Sequence, residues 1–481
     1  MAKSIKKNYL YNLVFQILSI ILPIVTAPYL ARVLGVEGVG ISAYTLSIVA
    51  YFILIANLGI ASFGQREIAM HQDDKKKYSK IFWNLMAFRG IAGIVTVAAY
   101  AVLIAFASRY QVIYAILLIN LLANIFDISW LYQGLEEYRF ISIRNILVKL
   151  LFTVAIFVFV KTPSDLNLYM LLNGLSLAIS TFALWTRLPK DVEKPVKAEI
   201  KPFLYFKDTL IYFLPQVATT IYTVLDRTML GLMTDGQVEN GYYEQAYKII
   251  SIALAVVTSL NIVVAPRIAF LFKKNNIDEI KERLRKSLRF VGLLAVPISF
   301  GIAAIASSFV PWFFGEEYQK VSELLPIFAP IVVIIALSNC LGGQCLTPCG
   351  LRLKSALALW AGAVLNLICN LLLIPKFGSF GATIGSLVAE GTITVLYFYL
   401  SRKYVNVFAT FKDWTKYIIA GLIMFVVVVY VKSFFAATIP FTVIEGIVGV
   451  LTYGIVLLVL RDKMVYEYIG MIKDKVIRKK N

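Results

Sequence analysis

A near-continuous series of long apolar runs constrains the fold of this chain more than any other feature. The first run begins at residue 10 and carries no charge until Arg32, and similar runs follow along the rest of the 481 residues. A helix that crosses the hydrocarbon core of a bilayer needs roughly 20 consecutive apolar residues. Hydrophobic residues make up 59% of the chain and charged residues only 16%, whereas soluble domains carry about 25% charged residues. We therefore predict an all-α polytopic membrane protein.

The apolar runs and the polar breaks between them predict the transmembrane helices. We expect fourteen, with approximate bounds 10–34, 40–62, 82–107, 111–134, 141–160, 166–187, 208–233, 241–265, 287–307, 321–346, 352–374, 380–400, 415–434 and 440–460. The first eight residues, MAKSIKKN, lead into a full-length span without a small-residue cleavage site, so we expect no cleaved signal peptide.

The distribution of positive charge predicts how these helices are oriented. With the N-terminus placed in the cytoplasm, 38 of the 47 Lys and Arg residues lie in cytoplasmic segments, six in outer segments and three inside helices. Cytoplasmic loops of membrane proteins carry an excess of Lys and Arg, so we expect both termini in the cytoplasm. The formal net charge of +19 is then mostly a matter of topology, and we expect no nucleic-acid partner. Two basic amphipathic helices, 275–289 and 467–481, are expected to lie on the anionic inner leaflet.

Short motifs recur between the two halves of the chain. Arg32 and Gly35 follow Pro23 much as Arg227 and Gly231 follow Pro215. Six helices per half give the halves the same orientation, which is a common plan for transporters. We therefore predict the domains 1–187 (first six-helix bundle), 188–207 (cytoplasmic linker), 208–400 (second six-helix bundle) and 401–481 (helices 13 and 14 with a basic cytoplasmic tail).

Motifs for catalysis are missing from the sequence. The only histidine, His71, lies in a charged loop, and the sequence holds no Ser/His/Asp arrangement, HExxH motif or ATP-binding P-loop. Cys345 and Cys349 have the spacing of metal ligands but no neighbouring His or carboxylate, so small membrane residues are the preferred interpretation. We expect a transporter without enzymatic activity, cofactor or metal, driven by an ion gradient, a membrane potential or mass action.

Polar residues inside the predicted spans are the candidate site, because a charge at mid-bilayer costs roughly 2.5–3.5 kcal/mol on insertion scales. Asn120, Asn124 and Asp127 share one helical face, and Arg89 on the preceding span lies at a similar depth, ~10 Å from the inner edge. Two interpretations remain open for Arg89 and Asp127. They form either a structural ion pair or a cytoplasm-facing site in which Arg89 contacts an anion.

A second group of charges is predicted in the outer half of the membrane: Arg32, Asp226, Arg227, Glu244 and Lys248. Glu244 and Lys248 have the spacing of a pair on one helix. Arg32 either extends to the outer surface or faces a cavity, and the glycines that follow it would allow a tight turn into the second span. Glu390 lies near the middle of a span without a cation nearby in sequence. It is either a proton or Na⁺ site or a protonated structural residue.

The motifs APYLARVLGVEGVG, FGQREIA, LDRTMLG, GYYEQAYKI, FFGEEY and IPKFGSFGATIGSLVAE occur in order along nearly the whole chain. With them, the sequence resembles the polysaccharide-transporter branch of the multidrug/oligosaccharidyl-lipid/polysaccharide (MOP) superfamily, and in particular its Wzx-type flippases. This resemblance implies fourteen helices, two six-helix bundles and a V-shaped central cavity in a bacterial cytoplasmic membrane. It also implies that an undecaprenyl-pyrophosphate-linked oligosaccharide moves from the inner to the outer leaflet for a capsule, O-antigen or other wall glycan.

The resemblance assigns roles to the polar residues as expectations. Arg32, Arg89, Arg227 and Lys248 would contact the pyrophosphate and Asn120 and Asn124 the sugars, since Arg forms forked hydrogen bonds to phosphate. Asp127, Asp226, Glu244 and Glu390 would serve gating or coupling to H⁺ or Na⁺. Membrane lipids and a glycan polymerase are the expected partners. A drug or cation antiporter of the same superfamily is the alternative function, and a membrane enzyme is disfavoured because no large outer loop is present.

Overall fold

The structure is a computed structural model that describes residues 5–258, 261–467 and 470. Among these residues the backbone is almost entirely helical and no strand occurs. This confirms the predicted all-α class. The predicted basic helix at 467–481 falls almost wholly outside the described residues.

Eighteen α-helices are present in the described part of the chain, and their order follows the apolar runs of the sequence. They are α1 Ile5–Asn57, α2 Ile60–Met70, α3 Lys75–Phe106, α4 Gln111–Ile125, α5 Ser129–Gly134, α6 Tyr138–Phe159, α7 Leu166–Trp185, α8 Leu188–Asp191, α9 Phe206–Met233, α10 Val238–Thr258, α11 Asn261–Lys273, α12 Ile277–Phe313, α13 Gln319–Phe328, α14 Pro330–Asn339, α15 Arg352–Phe377, α16 Ser379–Ser401, α17 Val407–Lys432 and α18 Ile439–Val459. A π-helix, Cys340–Leu346, extends α14.

Length and apolar composition identify the helices that can cross a membrane. Ten helical segments of the described residues qualify, and the bent segment 316–346 is an eleventh if it is counted as one span. The first of them, within α1, covers two predicted spans. The helices α9 and α10 match two further predicted spans but do not qualify by composition. The chain is a multi-pass membrane protein, and the number fourteen stays a prediction.

Gly35 separates the two spans predicted at 10–34 and 40–62. Its backbone has φ 67° and ψ 176° inside what is otherwise one long helix. This conformation is essentially restricted to glycine, so a residue with a side chain would be strained there. The glycines after Arg32 were expected to allow a tight turn between the two spans, and the two helices meet at a kink at Gly35.

The basic segment 275–289 is helical, as predicted, but it is not a separate helix. α12 begins at Ile277 and continues without a break to Phe313. Asn276 caps its start, because the side chain of Asn276 accepts a hydrogen bond from the backbone N–H of Glu279 (3.2 Å). The basic residues therefore form the first turns of a long helix that continues into a candidate membrane span, and their position on the inner leaflet stays a prediction.

Two compact units, residues 1–241 and 242–481, make up the chain. In the first, α4 packs against α7 and α1, and α9 packs against α1. In the second, α15 packs against α16 and α12 packs against α17. The helix α9, which the sequence scheme placed at the start of the second bundle, belongs to the first unit in this division. The scheme with a linker at 188–207 stays a prediction.

Candidate functional site

The predicted inner polar group surrounds a break in a membrane helix of the first unit. α4 ends at Ile125 and α5 begins at Ser129. A helix end leaves its last backbone carbonyls without partners inside the helix, and a bilayer offers no water to replace them. The break therefore needs hydrogen-bond donors from neighbouring helices.

Arg89 of α3 supplies most of these donors. Its Nη1 donates to the backbone oxygen of Asp127 at 2.5 Å, and its Nη2 donates to the backbone oxygen of Asn124 and to Oδ1 of Asn57. A cation is also favoured at a helix C-terminus by the helix dipole. The Arg89 side chain is only 1% exposed, so in this conformation the guanidinium holds the end of α4.

The carboxylate of Asp127 does not bond to Arg89, although the two residues were predicted at a similar depth in the membrane. Its two oxygens accept hydrogen bonds from the backbone N–H (3.0 Å) and the hydroxyl (2.6 Å) of Ser129, at the start of α5. Trp185 of α7 donates its indole N–H to the backbone oxygen of Phe126. Arg89 contacts the backbone of Asp127 rather than its carboxylate, so in the described part of the chain the two residues lie together without a side-chain ion pair.

Asn120 and Asn124 lie on α4 one turn apart, as predicted. The Asn124 amide donates to the backbone oxygen of Asn120 (2.9 Å). Asn120 is buried, and Gly174 of α7 leaves room for it, since a Cβ on Gly174 would lie 2.7 Å from Oδ1 of Asn120. Both amides therefore lie inside the first unit, and their predicted contacts with sugars stay predictions.

The outer group of the first unit lies along α9. Thr228 forms hydrogen bonds with Ser47 (2.9 Å) and Tyr51 (3.2 Å) of α1. Asp226 is 3% exposed and acts electrostatically on the hydroxyl of Tyr51. A Cβ on Gly231 would overlap the ring of Tyr44, so α1 and α9 approach closely here. Small and hydroxyl-bearing residues are typical of such close packing between membrane helices.

Arg227 and Arg32 differ from Asp226 in exposure. Arg227 is half-buried, and its Nη1 donates to the backbone oxygen of Thr223 at 2.8 Å. Asn240, which is fully buried, donates to the backbone oxygen of Arg227 (2.7 Å). Arg32 is exposed on α1 just before the Gly35 kink. Both residues have further interactions, and both retain some exposure to the surroundings.

Glu244 and Lys248 lie on α10 in the second unit, one turn apart and half-buried. The adjacent Tyr243 is buried and forms a hydrogen bond with Ser386 of α16 (3.1 Å). Its ring also packs against Phe328, with centroids 5.5 Å apart. The tyrosine fixes the position of α10 on its neighbours, and with it the position of the two charged residues.

Glu390 lies on the buried side of α16, one turn after Ser386, and is 4% exposed. It has interactions with neighbouring groups, and it acts electrostatically on Tyr397. Tyr397 in turn accepts a hydrogen bond from Ser355 of α15 (2.8 Å). Glu390 is therefore a buried carboxyl group in a polar setting between packed membrane helices, as both of its predicted roles require.

A second buried acid, Glu445 of α18, is missing from the predicted site. It is 1% exposed, and its Oε2 accepts a hydrogen bond from Ser308 of α12 (2.7 Å). Its Oε1 has no hydrogen-bond partner. The sequence alone could have identified Glu445 as a candidate, because it is the only charged residue in the predicted span 440–460.

The inner end of α6 carries three basic residues. The predicted span began at residue 141 and the helix begins at Tyr138, so Arg139 lies on it as well as Arg144 and Lys149. Lys149 donates to the hydroxyl of Ser19 of α1 (3.0 Å) and lies over the ring of Phe15. The charge count placed these residues on the cytoplasmic side, and this placement stays a prediction.

The arrangement offers cationic and acidic groups inside a helical protein. Among the described residues, no group of three or more His, Cys, Asp or Glu side chains is placed to hold a metal ion. Guanidinium groups at the edge of membrane helices can bind phosphate oxygens. Buried carboxyl groups within the membrane can exchange protons or bind cations.

Comparison with known families and proteins gives a consistent result. A family model described as "Polysaccharide biosynthesis protein" matches residues 5–272, and one described as "Lipid II flippase MurJ" matches residues 216–449. The "Putative O-antigen transporter" of Escherichia coli (strain K12) is 24% identical over 404 residues, which cover 82% of this chain and 95% of that protein. The "Capsular polysaccharide biosynthesis protein CapF" of Staphylococcus aureus is 22% identical over 408 residues, 82% of this chain and 99% of that protein.

Solved structures show the same fold. The structure titled "Lipid II flippase MurJ, inward closed conformation" superposes with a TM-score of 0.76 and 16% identity, covering 95% of this chain and all of that chain. An inward-facing MATE-family multidrug resistance transporter of the MOP superfamily has a TM-score of 0.61 and 15% identity, covering 79% of this chain and 94% of that chain. At these identities the likeness concerns the fold alone.

Proposed function

The chain belongs to the polysaccharide biosynthesis protein family, whose model covers more than half of it, and we propose that it is a flippase for a lipid-linked oligosaccharide. The cargo is an oligosaccharide repeat unit carried on undecaprenyl pyrophosphate. It moves from the cytoplasmic to the outer leaflet of a bacterial cytoplasmic membrane, where it enters the synthesis of a surface polysaccharide. Both termini of the flippase lie in the cytoplasm.

One observation carries this proposal. The similarity to a putative O-antigen transporter extends over 82% of this chain and 95% of that relative, so it concerns the whole membrane domain rather than a single motif. The absence of a catalytic motif from the sequence and the abundance of membrane helices agree with transport.

Arg32, Arg227 and Lys248 are the proposed contacts for the pyrophosphate. Arg32 is exposed, and Arg227 and Lys248 are half-buried, so the three cationic groups are accessible without unfolding a helix. Forked, charge-assisted hydrogen bonds favour arginine for phosphate. Arg89 is different, because its guanidinium already serves the α4 break, and we assign it to holding that break in shape.

Alternating access coupled to an ion gradient is the proposed drive. Glu390 and Asp226 are the deeply buried carboxyl groups of the predicted set, and Glu244 is the half-buried one. A charge inside the membrane is costly. Binding of H⁺ or Na⁺ would neutralise such a carboxylate and remove this cost, so ion binding could shift the balance between the two conformations.

A deletion strain tests the function directly. Its extracted membrane lipids are expected to contain an accumulated lipid-linked oligosaccharide that a glycosidase added outside the cell cannot reach. The wild-type gene and an Arg402→Ala control are expected to reverse the accumulation, and an Arg227→Ala copy is expected to fail although the protein is present in the membrane. Unchanged lipid-linked sugars together with altered sensitivity to cationic drugs would refute the flippase and favour an antiporter.

A further inference from the structure

A pocket of about 570 Å³ lies beside the first turns of α6, close to the end of α7. Three arginines line it, Arg139, Arg144 and Arg187, together with one carboxylate, Glu137. The rest of the wall is apolar and includes Phe140, Ile143 and Leu147. The charged groups of the lining therefore give the pocket a net positive charge. Its apolar wall distinguishes it from a cluster of charges on a solvated loop.

Arg187 forms a fixed wall of this pocket. Its Nη2 lies 3.2 Å from Glu137 and its Nε 2.8 Å from Asp191. Its guanidinium carbon also lies 5.1 Å from the centroid of the Phe140 ring. Two carboxylates and an aromatic face thus compensate and orient this cation, and the excess positive charge comes from the other two arginines.

Arg144 has an unused donor. Its Nε and Nη2 both donate to the neutral amide oxygen of Asn145 (3.2 and 2.6 Å), while its Nη1 is buried and has no hydrogen-bond partner. Asp127 acts on Arg144 electrostatically, but both of its oxygens bond to Ser129. A buried charged donor without an acceptor is costly. Because the half-buried Arg144 also lines the pocket, it is a position for an anionic ligand.

The apolar wall of the pocket continues along α6. Ile143 is 37% exposed, Leu147 62%, Leu151 63%, Val154 59% and Val158 55%. The spacing of three or four residues places these side chains on one face of the helix. From Ile143 to Val158 this face is ~22 Å long at ~1.5 Å per residue, a large part of the ~30 Å hydrocarbon core of a bilayer.

We propose that this pocket binds a membrane lipid with an anionic phosphate headgroup. Arg144 and Arg139 hold the phosphate oxygens, Arg187 closes the pocket, and the hydrocarbon chain of the lipid lies on the exposed face of α6. Basic pockets beside membrane helices are suited to such headgroups. A soluble phosphate would use the arginines alone and would leave the apolar face without a role, so the geometry favours a lipid. The site is independent of the proposed transport function.

The test is a lipid titration of the purified full-length protein in detergent, read by native mass spectrometry. Phosphatidylglycerol is the anionic probe and phosphatidylcholine the zwitterionic reference. Removing one basic residue near a membrane surface costs about 1 kcal/mol, so Arg144→Gln and Arg139→Gln should each bind phosphatidylglycerol about five-fold more weakly. Arg144→Lys, which keeps the charge, should recover most of the affinity. Arg402→Gln removes an exposed arginine elsewhere and should bind like the wild type.

Further arms separate the sources of phosphate. A polyprenyl phosphate that binds as well as phosphatidylglycerol supports the site and identifies a second lipid for it. Inorganic phosphate that displaces phosphatidylglycerol at equal concentration overturns the lipid assignment. Equal affinities of Arg144→Gln and Arg402→Gln, or equal binding of the two phospholipids, overturn the site itself. If Arg144→Gln melts well below the wild type, the exposed Arg139→Gln decides the result.

Discussion

Replacing Arg89 by Met tests whether this residue holds the α4 break or contacts the cargo. The substitution keeps much of the side-chain length and removes every donor, so the backbone oxygen of Asp127 and the amide oxygen of Asn57 lose their partner. The backbone oxygen of Asn124 loses its charged donor and keeps only the backbone N–H of Asp127 (3.2 Å). Each buried acceptor left unpaired costs about 1–3 kcal/mol. Removing the buried charge returns several kcal/mol of desolvation, so a net loss of about 3 kcal/mol is expected.

Thermal unfolding in detergent measures this loss. For a domain of 150–250 residues, 1 kcal/mol shifts the melting temperature by ~2–4 °C, and the first unit has 241 residues. Arg89→Met should therefore melt roughly 6–12 °C below the wild type. Arg402→Met, at an exposed position, is the matched control and should melt within about 2 °C of the wild type, as surface substitutions usually do.

The two interpretations of Arg89 give opposite patterns. If Arg89 holds the helix break, stability falls, and any loss of transport follows the amount of folded protein. If Arg89→Met melts like the wild type but abolishes transport, the structural account is refuted and the residue belongs to the cargo site.

Three other substitutions test the local geometry. Gly35→Ala places a side chain at φ 67° and should cost about 1–3 kcal/mol, measured as a lower melting temperature; unchanged melting would mean that the kink is not required. Asp127→Ala removes the two hydrogen bonds that the carboxylate accepts from Ser129 and should cost about 1–3 kcal/mol, whereas Asp127→Asn should recover part of it; equal melting of the two variants would show that these hydrogen bonds do not stabilise the start of α5. Glu445→Gln keeps an oxygen for the hydroxyl of Ser308 and should melt within about 2 °C of the wild type, while Glu445→Ala should lose roughly 1–3 kcal/mol; the reverse order would show that the carboxylate charge itself is needed.

The hydrophobic pattern predicted the class of the protein and most helix positions, because a bilayer imposes a length and a composition on every span. The motifs predicted the family, and the match over residues 5–272 confirms that the chain belongs to the polysaccharide biosynthesis protein family. The merging of the basic segment 275–289 with a membrane span was not predicted, since a run of charge at a helix end has the same pattern as a separate surface helix.

The candidate site was predictable in position but not in chemistry. Sequence spacing placed Arg89 and Asp127 at the same depth, and they do lie together. It could not reveal that α4 breaks at residues 126–128, so that Arg89 bonds to backbone oxygens and the Asp127 carboxylate bonds to Ser129 at the start of α5. Hydrogen bonds to the backbone depend on where a helix ends, and helix ends are the least certain part of any sequence-based prediction.

Reconstituted transport tests the central claim most directly. The purified protein is placed in liposomes that contain the lipid-linked oligosaccharide, and the fraction of cargo open to an added glycosidase is followed over time. The wild type and Arg402→Ala are predicted to move cargo between leaflets, and Arg227→Ala, at equal amounts of folded protein, is predicted to move little. Failure of the wild type to change this fraction, in liposomes with an imposed ion gradient, would contradict the flippase account. Normal transport by Arg227→Ala would remove that residue from the cargo site.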